Sequence, residues 1–156
     1  MQLQKYLNYL KIPSYPVVAG TVMYTLVISL VKWRLQFDFN ILFFLGGSVI
    51  GLFLLDTIEV FFGGKQSVFR TVFFEGTLSV VGFFVITSSG SLVGSGVMLA
   101  FFLRFVLEQM TEFQATGIGH WITTSNIATS RLREEILVIV TATIFVLLTL
   151  LFLFAT

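Results

Sequence analysis

Apolar residues in this chain run in long, nearly unbroken blocks separated by short polar punctuation. The blocks cover about 15–33, 41–62, 69–86, 92–107 and 136–155. The last carries no charge and spans about 20 residues, the length of helix that crosses a hydrocarbon layer of about 30 Å. None alternates apolar and polar positions as the strands of a membrane barrel do, so helices are expected over strands. The pattern predicts an all-α, polytopic membrane bundle of about five transmembrane helices forming one domain over 15–156. Ahead of it, Leu3, Tyr6, Leu7 and Leu10 recur at helical spacing, with Lys5, Asn8 and Lys11 on other faces. Residues 1–14 therefore read as a short amphipathic interfacial segment. Pro16 sits where the first turn of a helix tolerates a missing N–H.

The punctuation has its own logic. Gly63-Gly64-Lys65 closes the second block, and Thr87-Ser88-Ser89-Gly90-Ser91 is short enough only for a tight hairpin. The one long connection, 108–130, is rich in Thr, Ser and Gln, and its first residues continue the fourth helix. Ser130 is a candidate N-cap for the last helix, whose first turn places Glu134 and Glu135 at the positive end of the dipole. No internal repeat of the kind found in many transporters is visible.

Composition sharpens the membrane reading. Of 156 residues, 56% are hydrophobic and 11% charged, against about 25% charged in an ordinary soluble domain. A net charge of +1 provides no field for nucleic acid. The absence of cysteine excludes disulfides and thiol chemistry. No small-residue cleavage site follows the first block, so it is expected to remain in the mature protein as a span. With five spans, Lys5, Lys11, Lys65, Arg70, Arg104, Arg131 and Arg133 fall on one side and only Lys32 and Arg34 on the other. That asymmetry puts the N-terminus in the cytoplasm and the C-terminus on the opposite side.

Ionisable residues within spans carry most of the chemical information, because each costs a few kcal/mol at the bilayer centre. Folding consecutive spans about their turns brings Asp56, Glu59, Arg70, Glu75, Arg104 and Glu108 to one layer in the cytoplasmic half. Glu59–Arg70 and Glu75–Arg104 are the simplest pairs. Asp56 is then the deepest acid, about 9 Å inside the end of its helix, and the one least compensated. Such a layer is either an ion-paired belt that fixes packing or a proton or cation site. The other half offers only Thr21, Thr25, Ser29, Ser48 and the Thr87–Ser91 turn. That is a poor path through a membrane.

Small residues supply a second signal. Gly47 and Gly51 form one G-x-x-x-G, Gly90 and Gly94 another, and Gly76, Ser79 and Gly82 line the third block. Such spacing lets membrane helices approach closely. Catalytic constellations are lacking. His120 has only distant acids for company, Gly63-Gly64-Lys65 lacks the spacing of a phosphate loop, and Ser95 has no histidine in a later span to activate it. No cofactor or metal is expected. The expected function is that of a non-enzymatic structural or accessory membrane subunit, working through helix packing and cytoplasmic-face contacts. Its partners would be lipid and a membrane protein or further copies of the chain. The alternative is a small oligomeric transporter or channel for protons or cations built on the acidic cluster.

Overall fold

A computed structural model describes residues 15–36, 38–61, 72–116 and 131–154. They form five helices: α1 (Tyr15–Lys32), α2 (Phe39–Phe61), α3 (Val72–Ser88), α4 (Leu92–Thr116) and α5 (Arg131–Phe154). Among the described residues there is no strand. By length and composition α1, α2, α4 and α5 are able to cross a membrane, whereas the apolar stretch of α3 is shorter, Phe73–Ser88. Such helices are compatible with a multi-pass membrane protein. The expected interfacial segment 1–14, the Gly63–Lys65 turn, Ser130 and His120 lie outside the described residues.

α4 is the hub. All four other helices pack on it, α2 most extensively, while α1 also touches α2 and α5, and α3 touches α5. Every residue from Met98 to Val106 is buried, as expected of a helix enclosed on all sides. Three glycines explain why α2 lies so close. A Cβ on Gly47 or Gly51 would stand 2.1 and 2.2 Å from the carbonyl oxygens of Val93 and Val97, and one on Gly96 would stand 2.2 Å from that of Phe44. The residue numbers rise together on both helices, so α2 and α4 run parallel and touch backbone to backbone.

The ends of the helices follow local chemistry. Asp38 caps α2 by accepting the Asn40 N–H at 3.1 Å, and Ser91 caps α4 by accepting the Gly94 N–H at 3.1 Å. Gly90 takes φ +59° in the turn between α3 and α4, a conformation that costs glycine nothing. Where α1 ends, Arg34 and Leu35 adopt positive φ without being glycine, and the Leu35 N–H returns to the Leu30 carbonyl at 2.9 Å. An aromatic knot closes this end of the bundle. Phe44 stacks on Phe152 at 4.8 Å and Trp33 packs against both.

Polarity is distributed inside out. Phe73 is 84% exposed and Phe154 80%, whereas Arg104 is 1% exposed. In water this arrangement would leave a large apolar surface wetted and a charge desolvated, both unfavourable. It suits a protein whose exterior meets hydrocarbon.

Candidate functional site

The polar interior is organised around Arg104. From the middle of α4 its side chain points at α2, held there by the close glycine crossing. Nη1 and Nη2 donate to the two carboxylate oxygens of Asp56 at 2.8 and 2.7 Å. Nη1 also donates to the Leu52 carbonyl, and Nε to Glu108, one turn along α4, at 2.8 Å. Four of the five guanidinium N–H groups are thereby engaged. Asp56 is 3% and Glu108 15% exposed. A planar fork that meets one carboxylate bidentately while a second acid takes its remaining edge is the geometry for which arginine is suited and lysine is not.

These contacts rearrange the pairs expected from sequence. Arg104 pairs with Asp56 and Glu108 rather than with Glu75, and Asp56 is fully compensated instead of being the lone acid. The cause is interhelical distance. Folding hairpins places residues at a depth but not around the bundle, and the glycine contacts bring α2 closer to Arg104 than α3. The side chain of Glu59 and the whole of Arg70 lie outside the described residues.

Glu75 is the acid left apart. It is 5% exposed in the first turn of α3. Gln109 of α4 donates to it from Nε2 at 3.3 Å, and the Thr141 hydroxyl of α5 is within hydrogen-bonding reach. No cation pairs with Glu75 among the described residues. The helix dipole favours a carboxylate at this position by about 0.3–1 kcal/mol, or up to about 2 in a partly buried setting. Burying an uncompensated carboxylate costs several kcal/mol. The second effect is larger. Neither Gln109 nor Thr141 was singled out by sequence, because an isolated amide or hydroxyl within an apolar helix carries no spacing signal.

The glycine pairs divide in the same way. Gly47 and Gly51 form the crossing with α4, but their counterpart there is Gly96. Gly94 faces Val85 of α3, and Gly90 makes the turn. Hydroxyls in the other half of the molecule are returned to their own helices. Thr21, Thr25, Ser29 and Ser48 donate to the carbonyls of Val17, Thr21, Thr25 and Phe44. Among the described residues two polar bonds cross between helices there, Tyr24 with Thr149 at 2.7 Å and the Lys32 ammonium to the Phe152 carbonyl at 2.6 Å.

No known protein family, curated protein or solved structure matches this chain. Its interior is therefore the guide to what it does. Among the described residues no group of three or more His, Cys, Asp or Glu is placed to hold a metal ion.

Proposed function

We propose that this chain is a non-enzymatic integral membrane protein, a structural or accessory subunit whose intramembrane charges serve to hold its own helices in register. All five helices span, with the N-terminus in the cytoplasm. α3, at 17 residues and about 25 Å, is at the short limit for a span. The three-way hold on Arg104 is the observation that carries this reading. A guanidinium bound by Asp56, Glu108 and the Leu52 carbonyl is a clamp between α2 and α4, with no coordination left for a passing ion. Supporting it, the hydroxyls of the opposite half are spent on their own backbones and offer no polar track. The faces available to lipid or a partner are apolar, including Val80, Phe83 and Phe84 of α3 and Ile139, Val146 and Leu147 of α5.

Purification of the tagged chain from its native membranes in a mild detergent tests the reading. A second membrane protein, or further copies of the chain, should accompany it in fixed ratio. Recovery as a monomer that alone conducts protons or cations in liposomes would support the transporter reading instead. That second reading has one observation in its favour, the separate carboxyl of Glu75.

A further inference from the structure

Three polar side chains from three helices meet at Glu75, and their hydrogen-bonding capacities do not match those of a carboxylate. An ionised carboxylate only accepts. Gln109, 3% exposed, offers it one donor, Nε2 at 3.3 Å. The other end of that amide, Oε1, is buried without a hydrogen-bond partner. Thr141, 1% exposed, gives its hydroxyl hydrogen to the Leu137 carbonyl at 2.9 Å, and its oxygen lies within hydrogen-bonding reach of Glu75. A group that can use only donors thus has one long donor bond, beside a hydroxyl whose hydrogen is engaged elsewhere and an amide whose oxygen is unsatisfied.

We propose that Glu75 is a proton-binding site at the junction of α3, α4 and α5. Its carboxyl carries a proton at neutral pH, donates it to the Thr141 hydroxyl or, with the amide turned, to Gln109 Oε1, and accepts through its other oxygen. A proton supplies the missing donor and removes the uncompensated charge in one step. A metal cation fits less well. The three side chains provide few oxygens, the nearest amide atom is a donor, and hard cations demand about six oxygen ligands. Among the described side chains, none of the charged groups on the packed elements pairs with Glu75. On α4, Arg104 binds Asp56 and Glu108; on α5, Glu135 lies more than a turn before Thr141; α3 has no other charge among residues 72–88; the side chains of Glu112, Arg131, Arg133 and Glu134 lie outside the described residues. Raising the pH far enough to remove the proton would leave a buried carboxylate with one long donor bond and no cation among the described residues, and α3 would loosen from α4 and α5. The site depends only on this packing, so it stands or falls separately from the accessory-subunit reading.

Infrared spectroscopy of the full chain in liposomes at neutral pH tests the assignment. The spectrum should contain the carbonyl band of a protonated carboxylic acid, absent from Glu75→Gln and retained in Glu108→Gln. The wild type alone provides a second measurement, by reaction with dicyclohexylcarbodiimide. A carboxylic acid passes its proton to a carbodiimide nitrogen as its oxygen adds to the central carbon, and the adduct rearranges to a stable acylurea without further reagent. Peptide mass spectrometry should find the label on Glu75 in preference to Asp56 and Glu108, decreasing as the pH is raised. The proposal is overturned by a wild type with neither acid band nor label, by a band that persists in Glu75→Gln, or by labelling that favours Asp56 or Glu108. Protection of Glu75 by sodium, relative to choline at equal ionic strength, would also overturn it in favour of a cation site.

Discussion

Asp56 and Glu75 are both carboxyls buried beyond 90%, yet their neighbours give them opposite characters. Asp56 holds a guanidinium that is itself almost wholly enclosed, so Asp56→Asn removes its bidentate interhelical partner and leaves Arg104 with Glu108 alone. Breaking a buried pair of this kind typically costs about 3–5 kcal/mol. Unfolding of the variant in detergent should show a loss of that order, with part of it recovered when Arg104→Met is combined with Asp56→Leu. Additive single and double variants would mean that the pair contributes no coupling. Glu75→Gln should behave differently, because an amide reproduces the shape, one donor and one acceptor of the neutral acid. Its stability should lie within about 1 kcal/mol of the wild type, the scale of one exchanged hydrogen bond. The same unfolding measurement decides it, and a loss as large as that of Asp56→Asn would mean that Glu75 functions as a charge.

For the helices, the governing fact is how closely α2 and α4 approach. Gly47→Ala and Gly96→Ala each drive a methyl group into a carbonyl oxygen of the facing helix, at 2.1 and 2.2 Å. Backbone has to move, and overpacking of this kind costs about 1–3 kcal/mol or more. Gly46, one residue from Gly47, has open space where its Cβ would be. Gly46→Ala should therefore stabilise α2 by about 0.5–1 kcal/mol through helix propensity alone. Thermal denaturation of the three variants should place Gly46→Ala above the wild type and the other two below it. A common effect for all three would mean that the glycines act through propensity and not through the crossing. Displacing α2 would also take Asp56 away from Arg104, so the crossing variants should reduce the coupling between those two residues.

In the molecule as a whole, the accessory-subunit proposal predicts a fixed topology and no conduction. Single cysteines at Lys65 and Thr156 should be labelled from opposite sides of the membrane, Lys65 from the cytoplasm. The natural lack of cysteine leaves that assay without background. Labelling of both from one side would remove a span, and α3 is the one whose length makes it vulnerable. Purified protein in liposomes should show no flux driven by a proton or cation gradient, because Thr21, Thr25, Ser29 and Ser48 are bonded to their own helices and Arg104 is held by Asp56 and Glu108. A robust flux lost in Glu75→Gln would make the Glu75 proton mobile and replace the accessory-subunit reading with a carrier.

The hydrophobic blocks were enough to identify an all-helical architecture, because a helix satisfies its backbone locally and the length of an apolar run is read directly from the chain. The common depth of Asp56, Arg104 and Glu108, which hydrogen-bond to one another through the guanidinium, was legible too, since depth along a helix is only a count of residues. Which acid meets Arg104 was not. That choice depends on the rotation and spacing of helices far apart in sequence, set here by Gly47, Gly51 and Gly96 against backbone carbonyls. Gln109 and Thr141 became significant only when α4 and α5 were packed against Glu75. Sequence determines what each helix is and how deep its charges lie; tertiary contact decides which charge is neutralised by arginine and which is left to a proton.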